Sequence, residues 1–251
     1  MSDTKSYFDK HAHIDTYHND PKMYNMVIDL IKRNYVKRGT RFLDLGCGDG
    51  TLIKSANSIS VDFQFIGTDV SYEMIKTARH NLRGISVEFI VCDGFNLPIR
   101  NEIKFDFIHS AYVLHHLIGP TKGKSLDLVN TLLGILARTL SDKGILIIHE
   151  VYYDSYIIPS LTSTLVFYML KFLNLLNLDM SPIIKEFQRG LEVNFMHTEE
   201  LKRSLGHLGG KVQMVGKDPW NMPKFRRLLL LKEQGSVTFT YELNKEAALK
   251  K

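Results

Sequence analysis

The sequence predicts an α/β fold in which helices cover both faces of a parallel, doubly wound sheet. Short apolar runs of strand length alternate along the chain with amphipathic helical stretches, and this alternation is typical of βαβ units. A glycine-rich turn, residues 46–50, ends the first apolar run, at the edge where such sheets bind ligands. The length of 251 residues and the hydrophobic content of 44% suit one domain of this class.

The region before the first strand, residues 1–40, is predicted to be a helical cap. Asp20 can cap a helix and Pro21 fits the first helical position, and apolar residues follow at helical spacing. The first strand is predicted at Phe42–Leu45, whose apolar side chains are typical of a strand buried on both faces.

The glycine-rich turn indicates a nucleotide-like ligand. Glycine tolerates positive φ and has no Cβ, so the backbone can approach a ligand closely, and the N–H groups at the start of the next helix favour polar or anionic groups. The glycines stand at positions 46, 48 and 50. A dinucleotide fingerprint would need glycine where this chain has Thr51, and it calls for no acid at Asp44. The turn by itself still leaves a dinucleotide enzyme open.

A second strand is predicted at Phe63–Asp69, where an apolar run ends in a carboxylate. Ser71 can cap the amphipathic helix predicted at Tyr72–Leu82. At the tip of the strand, Asp69 could accept two hydrogen bonds from a ribose diol. The same residue could instead cap the following helix, and a dinucleotide enzyme would place an acid similarly.

A third strand is predicted at Ser86–Asp93, and Gly94 follows it directly. A carboxylate at this point can accept a hydrogen bond from an exocyclic amine, and a glycine lets the backbone approach a ring. An ordinary Asp-Gly turn is the alternative. The remaining predicted elements are a fourth strand beginning at Phe105, a helix at about Ser125–Leu140, a fifth strand at Gly144–Glu150, a helix capped by Thr198, and a final strand pair at Lys211–Val215 and Phe225–Leu231.

These segments together resemble the motifs of the class I S-adenosylmethionine-dependent methyltransferases. Asp44 with the glycine-rich turn resembles motif I, and Phe105–Leu117 resembles motif IV, the strand and loop that face the transferable methyl group. The tract Val113–Leu117 is similar to the same segment in the ubiquinone and menaquinone biosynthesis (type 11) group. The resemblance covers residues 40–150. It implies a Rossmann-like sheet of seven strands with an antiparallel last strand, and S-adenosyl-L-methionine as the cofactor.

The same resemblance implies the roles of the cofactor-binding residues. Asp44 would hold the methionine part, Asp69 the ribose and Asp93 the adenine. Tyr17 would contact the cofactor carboxylate, although the usual tyrosine-aspartate pair is Tyr17-His18 in this chain. The other candidates at the strand ends are Gly46, Cys47, Gly48, Gly50, Val70, Cys92, Gly94 and Ser110.

The chemistry follows from the cofactor. A sulfonium methyl group is already activated, so the enzyme chiefly aligns the nucleophile with it and excludes water. A general base is needed only if the nucleophile must lose a proton, and His115 and His116 are the candidates, because imidazole titrates near neutral pH. Either could instead be a hydrogen-bonded histidine that organises the loop. The candidate acceptor contacts are Glu150, Tyr152 and Tyr153.

Residues 151–196 depart from the minimal fold and are predicted to form an apolar helical lid. Leu161–Leu178 consists mostly of Leu, Phe, Tyr, Val and Met, and its apolar surface is wider than one helical stripe. Pro159 and Lys171 disfavour a membrane-spanning helix. The remaining interpretations are a lid packed on the core, and the wall of a hydrophobic pocket or a membrane-contacting surface that admits a lipophilic acceptor such as a quinone precursor or lipid.

The charge distribution and the two cysteines limit which partners and which cellular compartment are expected. The net charge is +5, but residues 42–150 carry slightly more acidic than basic side chains, so we expect that a nucleic acid is not the partner. Cys47 and Cys92 lack metal-ligand spacing, and no metal is expected. The N-terminus has no signal-peptide pattern. A cytoplasmic location is expected, with contact to a membrane surface left open, as monomer or homodimer.

The sequence is thereby divided into a cap (1–40), a cofactor-binding core (41–150), an apolar insertion (151–196) and a C-terminal part (197–251) in one structural domain. The expected function is methyl transfer from S-adenosylmethionine to a small, hydrophobic acceptor. Two alternatives stay open, namely an RNA or protein methyltransferase and a non-catalytic relative that only binds the cofactor.

Overall fold

The computed structural model describes residues 21–34, 39–59, 62–180, 190–222 and 230–244. Within these residues the chain forms one sheet with helices on both faces. The strands are β1 (Arg41–Leu45), β2 (Gln64–Asp69), β3 (Val87–Val91), β4 (Phe105–Ala111), β5 (Leu140–Ser155), β6 (Lys211–Pro219) and β7 (Leu231–Glu242). The helices are α1 (Pro21–Asn34), α2 (Thr51–Asn57), α3 (Tyr72–Asn81), α4 (Lys122–Thr139), α5 (Leu161–Leu175) and α6 (Thr198–Gly206). Two short 3-10 helices are Gly94–Asn96 and Leu114–His116.

The sheet has the order β3-β2-β1-β4-β5-β7-β6. Strands β1 to β5 pair in parallel, and β7 is antiparallel to both β5 and β6. The predicted fold, a seven-stranded Rossmann-like sheet with an antiparallel last strand, is therefore confirmed. The strand order switches between β1 and β4, since β2 and β3 follow on one side of β1 and β4 and β5 on the other. In sheets of this kind a ligand is expected at the carboxyl ends of the two strands at the switch point.

Several predicted strand limits are wrong, since β5 already starts at Leu140 and β6 continues to Pro219. The fifth strand continues to Ser155 instead of ending at Glu150, because β7 pairs with it as far as Leu231. The last strand is β7 and not Phe225–Leu231, of which residues 225–229 lie outside the described residues. In β7, Val237, Phe239 and Tyr241 alternate with threonines, and this β-branched and aromatic alternation favours a strand more than a plain apolar run does.

The core has two layers because successive strand residues point to opposite faces. On one face, apolar side chains of β1, β4 and β5 pack against α4 and α6. On the other face, they pack against α1 and α2. Four phenylalanines of this second layer, Phe42, Phe63, Phe65 and Phe107, lie with ring centroids 5.3 to 6.4 Å apart.

Helix α5 lies over the carboxyl end of β5. Its buried residues Val166 and Leu170 pack against Val151 and Tyr153. The opposite side of the helix exposes apolar residues, among them Phe172 at 58% and Leu175 at 81% of their full surface, together with Leu165 and Tyr168. None of the helices in the described part of the chain has the length and hydropathy needed to cross a bilayer.

The aromatic layer gives a stability prediction. Phe42→Ala is expected to lower the free energy of unfolding by about 3–5 kcal/mol, because it leaves a cavity among the buried rings. Phe172→Ala on the exposed side of α5 is the matched control and should change it by less than about 0.5 kcal/mol. Urea unfolding measures both values. Equal losses in the two variants would contradict this description of the core.

Candidate active site

The glycine-rich turn between β1 and α2 has the backbone conformation that requires glycine. Gly46, Gly48 and Gly50 have φ values of 71°, 52° and 81°, which disfavour any residue with a Cβ. A Cβ built on Gly46 would collide with the side chain of Val113, whereas one built on Gly48 meets no described atom within 4 Å. Gly48 is therefore the glycine on the open side of the turn.

Asp69 joins this turn to the end of β2. One carboxylate oxygen accepts a hydrogen bond from the Gly48 amide at 3.0 Å, and the other accepts from the Ser71 amide at 2.9 Å. Burial raises the pKa of Asp69, and these backbone bonds oppose that effect. Ser71, and not Asp69, caps α3 by accepting from the Met74 amide. Each Asp69 oxygen keeps a further lone pair for a ligand hydroxyl. Val70 lies between Asp69 and Ser71 in the chain, at the same edge of the sheet.

Asp93 and Gly94 begin a turn at the end of β3. The Asp93 carboxylate accepts from the Phe95 amide at 3.0 Å and so caps the 3-10 helix Gly94–Asn96. Burial raises the pKa of Cys92 to about 11 and that of Cys47 well above its usual value. Both thiols therefore stay protonated near neutral pH and are not nucleophiles. The described residues contain no group of three His, Cys, Asp or Glu side chains that could hold a metal ion.

Asp44 lies beneath the turn and pairs with a residue that the sequence did not single out. The register of β1 and β4 sets Asp44 opposite His109, and Nδ1 of His109 lies 2.8 Å from the carboxylate. Both side chains are buried. The next residue of β4, Ser110, is also buried, and its hydroxyl has no partner among the described residues. Tyr17 lies outside the described residues.

Tyr112 turns the chain sharply where β4 ends. Its φ of 57° is strained for a bulky residue, and such strain is concentrated at functional sites. The Tyr112 hydroxyl lies 2.9 Å from Nε2 of His149, whose Nδ1 lies 2.6 Å from the Thr238 hydroxyl. No sequence pattern marks this turn, because its contacts are made with residues of β5 and β7.

His115 and Glu150 form a buried pair at the carboxyl ends of β4 and β5. His115 Nδ1 lies 2.5 Å from a Glu150 oxygen. The other Glu150 oxygen accepts from the Leu114 amide at 2.7 Å, and the first also accepts from the Val151 amide at 2.9 Å. The sequence predicted an acceptor contact for Glu150, but the structure buries its carboxylate completely against His115. The ring of His116 lies beside the ring of His115, with the two centroids 4.0 Å apart.

The two predicted tyrosines are separated by the sheet. Tyr153 stacks on Phe195 at 4.3 Å, and Phe195 in turn stacks on His115 at 5.7 Å. Tyr152 points to the opposite face, because strand neighbours alternate, and its hydroxyl donates to Glu233 at 2.7 Å. The structure therefore links Tyr153, and not Tyr152, to His115 through the ring of Phe195.

The segment that precedes α6 completes the site. The Asn194 amide donates to the His115 carbonyl at 2.7 Å, and the buried Lys122 ammonium donates to the Phe195 carbonyl. Burial lowers the pKa of Lys122 to about 8, an effect that nearby Glu200 opposes. The Asn194 carboxamide is fully buried, with no partner in the described part of the chain. Sequence patterns do not mark these residues, because they meet only in the fold.

Comparison with known proteins decides the family. A family model described as a methyltransferase domain matches residues 36–205, more than half of the chain. The chain is a class I S-adenosylmethionine-dependent methyltransferase. The S-adenosylmethionine-dependent methyltransferase from Clostridium acetobutylicum shares its fold, with a TM-score of 0.59 at 17% identity over 97% of this chain and 98% of the other. The predicted cofactor is confirmed, and the open side of Gly48 and the lone pairs of Asp69 fit it. The narrower type 11 assignment stays a prediction.

Curated relatives correct one prediction about partners. The tRNA (carboxymethyluridine(34)-5-O)-methyltransferase of Saccharomyces cerevisiae is 40% identical over 80 residues, which cover 31% of this chain and 25% of that protein. The cyclopropane-fatty-acyl-phospholipid synthase of Escherichia coli K12 is 32% identical over 116 residues, or 46% and 27%. The chain thus matches about a quarter of either relative. The expectation that a nucleic acid is not the partner was wrong, because charge in the cofactor-binding half says little about the acceptor.

The glycine-rich turn gives a binding prediction. Gly48→Ala is expected to weaken S-adenosylmethionine binding at least about tenfold, because a methyl group would occupy the ligand-facing side of the turn. Gly39→Ala is the matched control, because Gly39 also has a positive φ, 76°, and open space around its Cβ position. Both variants should lose about 1 kcal/mol of stability to backbone strain. Calorimetric titration would contradict the assignment if both bound the cofactor equally well.

Proposed function

We propose that this methyltransferase acts on a lipophilic acceptor that binds between the loop after β4 and helix α5. The observation that carries the proposal is the apolar cluster around Tyr112. The cluster joins the end of β5, helix α5 and the segment before α6. Because Tyr112 directly follows β4, this apolar layer adjoins the loop that faces the transferable methyl group in the family. Its partly buried members are Tyr112, Met169, Leu173, Met180, Leu191 and Met222.

The cofactor would lie across the ends of β1, β2 and β3. In this arrangement Asp69 accepts from the ribose hydroxyls, and Asp93, Gly94 and Cys92 adjoin the adenine. The turn at residues 46–50 lies against the methionine part, with Asp44, Val70 and Ser110 at the same edge. When bound, S-adenosylmethionine supplies an activated methyl group. The residues of this chain orient the acceptor toward it and keep water out.

The outer side of α5 supports a lipophilic acceptor. Its exposed residues Leu165, Tyr168, Phe172 and Leu175 form the kind of apolar patch that marks a ligand or membrane contact. The one charged residue of the helix, Lys171, faces Glu192 at 3.4 Å and lies over the ring of Phe167. A cytoplasmic enzyme that rests on a lipid surface through this side could take its acceptor directly from that surface.

An RNA acceptor is the second candidate. The observation in its favour is the 40% identity over 80 residues to a yeast protein named as a tRNA methyltransferase. Net charge is compatible with it, since the chain carries +5 overall.

Transfer of labelled methyl groups separates the candidates. The protein is incubated with methyl-labelled S-adenosylmethionine and with separate lipid, small-molecule, RNA and protein pools from cells. Label in the lipid pool is the expected result. Label in the RNA pool alone would refute the lipophilic acceptor and support an RNA acceptor. Cofactor binding with no label in any pool would indicate a non-catalytic relative.

The exposed side of α5 gives a specific prediction for this assay. The double variant Phe172→Ser/Leu175→Ser is expected to reduce label in the lipid pool at least about tenfold, since it removes apolar contact area worth roughly 3 kcal/mol. Cofactor affinity and stability should stay unchanged, because both residues are exposed. Met214→Ser, an exposed apolar residue on β6, is the control. Unchanged lipid labelling in the double variant would refute a role for this surface.

The cofactor carboxylates give a further prediction. Asp69→Ala and Asp93→Ala are each expected to weaken S-adenosylmethionine binding about 10- to 100-fold, because each removes hydrogen bonds to a charged group. Asp127→Ala, on the exposed side of α4, serves as control. The raised pKa of Asp69 means that it takes up a proton at a higher pH than an ordinary aspartate. As the pH is lowered, cofactor affinity should therefore begin to fall at a higher pH than it would with an exposed aspartate at this position. Normal affinity for the cofactor in both variants, measured by calorimetry, would contradict the assignment of Asp69 and Asp93 to the cofactor site.

A further inference from the structure

We propose that Glu150 holds His115 in the state of a general base, and that the acceptor therefore presents a hydroxyl group whose proton His115 removes. The inference rests on the proposed function and adds the chemical class of the acceptor atom. Glu150 is a positioning residue in this account, and His115 is the catalytic residue. The observation behind the proposal is the buried hydrogen-bond network that joins them.

The partners of Glu150 require it to accept hydrogen bonds. Two backbone amides, those of Leu114 and Val151, donate to its two oxygens at 2.7 and 2.9 Å. The His115 amide lies at 3.3 Å from one of them. An amide N–H can only donate, so both oxygens must accept hydrogen bonds. A carboxylate offers two lone pairs on each oxygen and can accept from these amides and from an imidazole N–H together.

The carboxylate in turn sets the tautomer of His115. A neutral imidazole carries one proton, and the 2.5 Å contact between Nδ1 and Glu150 places that proton on Nδ1. Nε2 is then left with a free lone pair for accepting a proton. The ring is kept in place by stacking on Phe195, and its backbone carbonyl accepts from the Asn194 amide. These contacts orient a base before the acceptor arrives.

Such a base is useful only to some nucleophiles. A carboxylate or a neutral amine can attack a methyl group without first losing a proton, whereas a hydroxyl group must be deprotonated. The acceptor O–H bond breaks and its proton passes to Nε2. The oxygen forms a bond to the methyl carbon, and the carbon–sulfur bond breaks with its electron pair going to sulfur. The products are a methyl ether and S-adenosylhomocysteine. The imidazolium, stabilised by Glu150, then releases its proton to water.

The other ionisable groups around His115 are few in the described residues. His116 is its neighbour on the same 3-10 helix. Lys122, at the start of α4, is bonded to the Phe195 carbonyl and lies 3.8 Å from Glu200 of α6. Glu150 is thus the ionised group in direct contact with the imidazole. A purely structural alternative also exists, in which Glu150 only caps the 3-10 helix through the Leu114 amide.

A first test needs no acceptor. Nitrogen-15 NMR of labelled histidine rings reports the tautomer of His115, which the loss of one signal in His115→Gln assigns. The expected state in the wild type is Nδ1–H. In Glu150→Gln, the oxygen of the new side chain can face either the two amides of Leu114 and His115 or the single amide of Val151. The two amides favour it, so the NH2 group faces Nδ1 and should switch the ring to Nε2–H. A wild-type Nε2–H tautomer, or no switch in a folded Glu150→Gln, would overturn the positioning role.

A second test uses S-adenosylmethionine with a carbon-13 methyl group and the cell pool that accepts label. The carbon-13 spectrum of the product should show a methyl ether. A methyl ester, or a methyl group on nitrogen or sulfur, would overturn the acceptor class. His115→Gln should lower kcat about 10²- to 10⁴-fold without changing cofactor affinity, and its residual rate should rise with pH as the hydroxyl ionises unaided. His207→Gln, an exposed histidine, is the control.

The outcomes separate this inference from the proposed function. If the fall in kcat caused by His115→Gln is the same at every pH, the base role is overturned even if lipids are methylated. Cofactor binding without labelling of any pool would overturn the proposed function and the acceptor class together. The tautomer result, which requires neither acceptor nor turnover, then speaks for or against the pairing of Glu150 with His115 alone.

Discussion

The parallel register of β1, β4 and β5 decides which side chains meet at the site, because all three strands end at the same edge of the sheet. It sets Asp44 opposite His109 and ends β4 before β5 ends. Beyond that point, residues 194–196 lie alongside β5 in the position that β4 has left, and the Tyr153 amide donates to this segment. The 3-10 helix that carries His115 is thereby enclosed between the end of β4 and the segment.

This arrangement buries several polar groups, and each of them needs hydrogen-bond partners inside the protein. A buried charge is tolerated only when hydrogen bonds replace its lost hydration. Glu150 meets this condition with two backbone amides and an imidazole, and Asp69 meets it with two amides. Both carboxylates therefore fix the loops that donate to them. These hydrogen bonds restrain the loops before a ligand binds, and an aligned methyl transfer depends on such positioning.

The sequence could predict the features that depend on short stretches of chain. Strands β1, β4 and β5 appear as apolar runs because they are buried, and the turn at residues 46–50 appears because its positive φ values require glycine. The acid of Asp69 was predictable from its place at a strand tip. Contacts between distant residues were not predictable. The pairing of Glu150 with His115 spans 35 residues, and it depends on the register of β4 with β5. The limits of β7 were missed because its threonines made a buried strand look polar.

The central claim is that the acceptor reacts between Tyr112 and His115, beyond the carboxyl end of β4. A structure of the protein with S-adenosylhomocysteine tests it most directly. A nucleophile lies about 3–3.5 Å from the methyl carbon, and its proton lies within hydrogen-bond reach of the base. We therefore expect a sulfur atom that faces the Tyr112 turn, with Nε2 of His115 about 5 Å from the methyl position. A sulfur atom that faces away from both Tyr112 and His115 would contradict it.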